Sequence, residues 1–255
     1  MSPSIWTRCA ASFRPRKIEL LAWRVVESQH VISTRKLVDS DEEQRLLEEL
    51  IDEVKPPLPP DPAFRGLQYL LFTPFRHPPL RHGSRFGTRT ERGIWYGSKE
   101  LRTCLAEVAY YRLLFLEGTT AELGTLTVEL TAFTVPIRAR RGADLTRPPF
   151  RPHENAISSR VSYAASQPLG AEMRAAGIDA FLFVSARATQ RGTNLGLFTP
   201  AFSSKRPRRF ETWICSADRS KVELAQKSLL RTRTQRMAFA REDFVVEGRL
   251  PAPAT

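Results

Sequence analysis

The stretch Gly93-Ile94-Trp95-Tyr96-Gly97-Ser98-Lys99-Glu100-Leu101-Arg102-Thr103-Cys104-Leu105-Ala106-Glu107-Val108 passes from strand-like to helix-like chemistry with almost no loop between. Gly93 to Tyr96 is short, apolar and aromatic, as a buried strand is. From Ser98, which reads as an N-cap, Leu101, Cys104, Leu105, Val108 and Phe115 recur on one helical face. At about 100° per residue, Glu107 falls beside that apolar stripe and not opposite it, where a solvated carboxylate points. A carboxylate so placed must reach a cleft, a cation or a hydrogen-bond network.

Upstream, Leu67 to Phe72 reads as a short buried strand. Downstream, Leu126 to Val135 alternates in part, and Ile178 to Val184 is a nearly continuous apolar run suited to a central strand. Between them, Tyr163 to Ala176 reads as a helix closed by Gly177, with Pro168 delaying its start to around Gly170. Asn194 to Phe198 and Glu211 to Cys215 are further short strands. Strands and helices do not alternate regularly, so the expectation is an α+β fold and not a doubly wound sheet.

The chain has 39 Lys and Arg against 27 Asp and Glu, and a formal charge of +12 calls for an anionic partner. Acids crowd between Asp39 and Glu53, where Leu46, Leu47, Leu50, Ile51 and Val54 repeat at helical spacing behind Ser40. Lys55-Pro56-Pro57-Leu58-Pro59-Pro60 stops that helix. We expect residues 1–60 to form an extension packed on a main domain at 61–248, with Arg24 supplied by the extension and 249–255 a flexible tail. No apolar run approaches the roughly 20 residues that span a bilayer. Arg8, Arg14 and Arg16 interrupt the start, so a cytoplasmic protein without a secretory signal or membrane contact is expected.

Cys9, Cys104 and Cys215 form no C-x-x-C pair, and His30, His77, His82 and His153 stand alone. No H-E-x-x-H, G-x-G-x-x-G or Walker-type loop occurs, so no metal site and no common nucleotide loop is expected. The polar residues that stand out are interleaved with glycine and aromatics: Gly83-Ser84-Arg85-Phe86-Gly87, Ile94-Trp95-Tyr96-Gly97-Ser98 and Ala106-Glu107-Val108-Ala109.

With Ala22-Trp23-Arg24-Val25-Val26-Glu27, Thr73-Pro74-Phe75-Arg76, Phe183-Val184-Ser185-Ala186-Arg187 and Asn194-Leu195-Gly196-Leu197-Phe198, these segments resemble the RES-domain toxins paired with Xre-type antitoxins. The resemblance implies an ADP-ribosyltransferase-like fold, NAD as the substrate, and an antitoxin partner through which any contact with nucleic acid is indirect. Position by position it marks Arg24, Arg85, Tyr96, Glu107 and Ser185, with Phe86 standing where many members have Trp. The amino-terminal extension resembles that of a longer subgroup, in which a protein side chain is one acceptor of ADP-ribose beside water and phosphate.

These residue types suit that substrate. A guanidinium presents two charge-assisted hydrogen bonds to one phosphate, so Arg24 and Arg85 are candidates for the diphosphate. Tyr96 offers a ring face to cationic nicotinamide. Glu107, near ribose, would offset the positive charge that develops as the glycosidic bond breaks. Ser185, at a strand end with no paired base, is assigned a hydrogen bond to ribose, phosphate or the carboxylate, and Asn194 a further ligand contact. Catalytic work thus falls to Glu107, Arg24 and Tyr96, and binding to Arg24, Arg85, Tyr96, Ser185 and Asn194. Without that resemblance, the favoured reading of Glu107 is a structural carboxylate paired with Arg24 or Arg85. The rival from another class is a basic nucleic-acid-binding protein without activity. Against it, no helix clusters Arg and Lys as a recognition helix does.

Overall fold

The computed structural model describes residues 3–28, 38–58, 60–77, 79, 81–227 and 234–252, so His30, Pro59 and the last residues of the expected tail lie outside them. Among the described residues there are six α-helices: α1 (Ile5–Cys9), α2 (Asp41–Glu53), α3 (Tyr69–Arg76), α4 (Leu101–Gly118), α5 (Glu154–Ile157) and α6 (Ser166–Ala175). Eight strands accompany them: β1 (Arg16–Glu27), β2 (Trp95–Ser98), β3 (Leu126–Asp144), β4 (Ala180–Val184), β5 (Thr193–Leu197), β6 (Arg208–Ala217), β7 (Lys221–Lys227) and β8 (Arg236–Ala240). The fold is α+β, and the sheet runs β1-β2-β5-β4-β3-β6-β7-β8.

β3 organises the sheet because it is long enough to serve three neighbours. It pairs antiparallel with β1 from Gly142 opposite Arg16 to Leu130 opposite Glu27, antiparallel with β6, and parallel with β4 at Gly142 to Asp144. β1 also touches β2, at Trp23 opposite Ser98, which closes β1, β2, β5, β4 and β3 into a ring. Beyond that contact β1 and β2 part. Gly97 sits at the crossing, where a Cβ would stand 2.7 Å from the Trp23 carbonyl. The fork between the two strands is the back wall of the site described below.

Helix α4 packs one face, Leu105, Ala106, Ala109, Tyr110, Leu113 and Leu116, against Trp213, Leu224 and Phe239 of the sheet. The stripe expected from sequence is therefore only partly core: Val108 is half-buried and Phe115 is 56% exposed, and both line an open cleft. A helix with core on one side and a cleft on another is apolar nearly all round, which blurs its amphipathic signal. Glu107 stands on the cleft side.

Four local expectations are revised. Leu67 to Phe72 is not a strand: Gln68 caps a helix by accepting from Leu70 N at 2.9 Å, and Leu70, Leu71 and Phe75 form its buried side. A short apolar run does not distinguish the two periods. Helix α6 starts at Ser166, because Pro168 falls in the first turn, where no amide donor is needed. Ser98 ends β2 instead of capping α4, whose N-cap position is Glu100. The carboxy-terminal segment is anchored in part: Leu250 is buried, and the Pro251 carbonyl accepts from the Tyr110 hydroxyl.

Candidate functional site

Arg24, Arg85, Tyr96, Glu107 and Asn194 come together on one cleft of about 780 Å³, although β1, the 83–87 loop, β2, α4 and β5 deliver them separately. Ser185 does not line it. It stands behind Glu107, at the end of β4.

The carboxylate is held by neutral donors. Glu107 Oε1 accepts from Ser185 Oγ at 2.7 Å and from Asn194 Nδ2 at 2.6 Å. Asn194 is oriented in turn by Ser98, whose buried hydroxyl donates to Asn194 Oδ1 at 2.6 Å. The Ser185 hydroxyl oxygen already accepts from the amides of Arg187 and Ala188, each at 3.1 Å, so its proton is directed to Glu107. Among the described residues, no hydrogen bond engages Oε2, and no ion pair joins Glu107 to Arg24 or Arg85. An arginine partner would cancel the carboxylate's charge, whereas hydroxyl and amide donors fix its direction and leave the charge available.

The arginines are braced by other means. Arg24 Nη1 crosses the fork to the Tyr96 carbonyl at 2.7 Å, its guanidinium lies 5.2 Å from the Trp95 ring centroid, and its buried Nε has no partner. Burial draws its pKa down to about 10, which still leaves it cationic at neutral pH. Arg85 donates to the Ser159 carbonyl at 2.7 Å and lies over the Tyr163 ring at 4.9 Å. Its loop is a tight turn, with Ser84 N donating to Gly87 O at 2.7 Å, that sends Phe86 into the core and Arg85 to the cleft.

Tyr96 ties that loop to β2. Its hydroxyl accepts from Phe86 N at 3.3 Å and shares a 3.0 Å hydrogen bond with Ser84 Oγ. Burial pushes its phenol up to about 12, so it acts as a neutral aromatic group.

The residues that sequence reading missed are Arg187, Ser98 and Tyr163. Arg187 stands two positions past Ser185, yet only the fold shows it to be 3% exposed, on the cleft wall, with Nη1 buried and unpartnered. Ser98 was legible as a capping residue, and the strand pairing with Asn194 redirects it.

Cys9, Cys104 and Cys215 are free and buried. Cys104 lines the cleft, donates to the Trp23 carbonyl at 3.1 Å, and is pushed up to about 12 by burial. The thiolate is the reactive form. Native protein at pH 8 is therefore expected to resist a thiol-specific reagent at Cys104 while the unfolded chain reacts rapidly; rapid labelling of Cys104 before unfolding would contradict this environment. Among the described residues, no group of His, Cys, Asp and Glu could hold a metal ion, and no helix is long and apolar enough to cross a membrane.

A family model described as RES domain matches residues 61–218, more than half of the chain. The chain belongs to the RES-domain family. Such domains are in general NAD-processing and associated with a toxin–antitoxin partner, and their fold is ADP-ribosyltransferase-like. No curated protein matches the sequence. The RES match takes in Arg85, Tyr96, Glu107, Ser185, Asn194 and Arg187, but begins after β1. Arg24 thus reaches the cleft from outside the matched range, on a strand that is nevertheless paired along its length with β3.

Proposed function

We propose that the cleft binds NAD and breaks the bond between nicotinamide and ribose, with this chain as the toxin of a toxin–antitoxin pair. The observation that carries the reading is the half-buried Glu107 carboxylate, oriented only by neutral donors, in a cleft where Arg24 Nε and Arg187 Nη1 are buried without partners. The cleft volume falls within the range of about 300–1,000 Å³ that small-ligand sites occupy. Arg24 and Arg85 would hold phosphate or ribose oxygens, and Tyr96 would pack against nicotinamide.

As the C1′–N bond breaks, its electron pair returns to the ring nitrogen and neutralises the pyridinium. Nicotinamide therefore leaves without a proton, so the step requires no general acid, although His77 and His82 line the cleft. Positive charge builds on C1′ and the ring oxygen, and Glu107 lowers its cost. The acceptor oxygen then bonds to C1′ and sheds its proton. Water, phosphate and a protein side chain are all competent acceptors. An Xre-type antitoxin occupying the cleft would restrain the activity, and its acidic groups would suit the cationic lining.

The test is nicotinamide release from NAD by the purified full chain, with phosphate or cell lysate added separately as acceptor sources. Release supports the reading; no NAD consumption under any acceptor condition, with salt-sensitive binding to duplex DNA instead, favours the nucleic-acid rival. Ser185→Ala removes a donor to a charged acceptor, so kcat is expected to fall by about tenfold or more while the KM for NAD changes little. A rise in KM at constant kcat would place Ser185 on the substrate and not behind the carboxylate.

A further inference from the structure

We propose that Arg187 is an anion-binding residue of the cleft, placed to take a phosphoryl oxygen at a position one helical turn past Glu107. The need for an anion follows from the burial of this side chain alone; the choice of a phosphoryl group rests on the NAD reading above.

Arg187 is 3% exposed and lines the cleft, but its guanidinium makes no hydrogen bond with any described residue, and Nη1 is buried without a partner. The other arginines of the cleft are engaged: Arg24 on the Tyr96 carbonyl, Arg85 on the Ser159 carbonyl, and Arg112 on the Glu27 carboxylate. A buried charge with unmet donors is costly to keep unless something supplies acceptors. No described carboxylate forms an ion pair with it.

The side chain is nonetheless held firmly. Its Cζ lies over the Tyr110 ring, 3.6 Å from the centroid, a contact that holds the guanidinium without using any of its N–H donors on an acceptor oxygen. Tyr110 is locked in turn by its hydroxyl bond to the Pro251 carbonyl. The Arg187 amide donates to Ser185 Oγ at 3.1 Å, and the same hydroxyl donates to Glu107. One serine thereby sets both the carboxylate and the base of the arginine. Cys104, Glu107 and Tyr110 follow at three-residue spacing on α4, and Arg187 covers Tyr110, one turn past Glu107. Arg160 adds to the positive field: its pKa is lowered by burial first and then by the Arg187 charge, with the Asp243 charge opposing them, and its Nη2 donates to the Asp243 carbonyl at 2.7 Å. Arg160 Nε and Arg187 Nη1 are both buried without a partner, and two neighbouring cations with unmet donors suit an oxyanion and not another cation.

A phosphoryl group here has two sources, the diphosphate of the dinucleotide or free phosphate. Equilibrium binding of ADP-ribose and of inorganic phosphate to the full chain, measured by calorimetry for the parent and for Arg187→Gln, separates them. We expect Arg187→Gln to weaken one probe by at least about tenfold, the loss of a charge-assisted hydrogen bond. Weakened ADP-ribose identifies the diphosphate as occupant; weakened phosphate with ADP-ribose unchanged identifies the free anion. Unchanged affinity for both probes, or failure of both to bind the parent, overturns the assignment. Should Arg187→Gln not fold, Arg187→Lys carries the same test, since it keeps the charge and loses the planar fork: weakening by severalfold is expected, and unchanged affinity overturns. Neither probe requires turnover. Nicotinamide release that persists while Arg187→Gln binds both probes as the parent does would remove Arg187 and leave the NAD reading standing; absence of release with phosphate binding lost would do the reverse.

Discussion

Glu107→Gln is expected to fold as the parent chain does and to release nicotinamide about 10²–10³-fold more slowly, the usual effect of removing one electrostatic stabiliser of a transition state. The substitution isolates charge from shape. The amide oxygen of Gln can take the place of Oε1, where Ser185 and Asn194 donate at 2.7 and 2.6 Å, and its NH₂ then occupies the Oε2 position. Both orienting bonds survive while the negative charge is lost. NAD binding is expected to change little, because the proposed diphosphate contacts are assigned to arginines and not to Glu107. Far-ultraviolet circular dichroism and a melting curve establish the fold, and a single-turnover measurement of nicotinamide establishes the rate. Release at the parent rate would remove Glu107 from the chemistry and return it to a structural role in the Ser98, Asn194 and Ser185 network.

The second large effect is expected far from the carboxylate. Gly170 on α6 lies so close to the 83–87 loop that a Cβ there would stand 1.9 Å from the Phe86 carbonyl oxygen. That atom is backbone and cannot swing aside. Gly170→Ala must therefore push α6 and the loop apart, at an overpacking cost of about 1–3 kcal/mol. For a chain of this size each kcal/mol moves Tm by roughly 2–4 °C, so a fall of about 2–12 °C is expected. The loop carries Arg85, and its Ser84 and Phe86 hold the Tyr96 hydroxyl, so nicotinamide release should fall with stability. Gly118→Ala is the matched control: nothing lies within 4 Å of its added Cβ, and Tm and rate are expected to stay near parent values. Equal behaviour of the two variants would show that α6 does not brace the loop.

The elements legible in the sequence were those whose chemistry is local. The strand-to-helix passage around Trp95 to Glu107, the apolar β4 and the capped, acid-led α2 all announce themselves by period or by end signals. β7 was also within reach, since Val222, Leu224 and Gln226 alternate with exposed residues, but it holds too few apolar residues to stand out in a search for apolar runs. β1 owes its place to pairing with β3 more than to its own pattern, because only Ile18 and Ala22 of its residues are buried. Helix α3 tolerates Pro74 near its end, a residue that argues against a helix when read alone.

By itself the sequence determined the α+β class, the absence of cysteine pairs close in sequence, and the unusual station of Glu107, because these depend on residue type and on spacing within one element. It also supplied the segments that mark the RES family. Only the tertiary structure decided what surrounds Glu107. Ser185 and Asn194 lie 78 and 87 residues away in the chain and become its partners through the pairing of β4, β5 and β2. Burial is likewise a property of the assembled fold, and it separates Arg187, enclosed and without acceptors, from the many arginines that keep the surface basic. Charge can be counted along a chain, but the cost of a charge depends on what is packed around it.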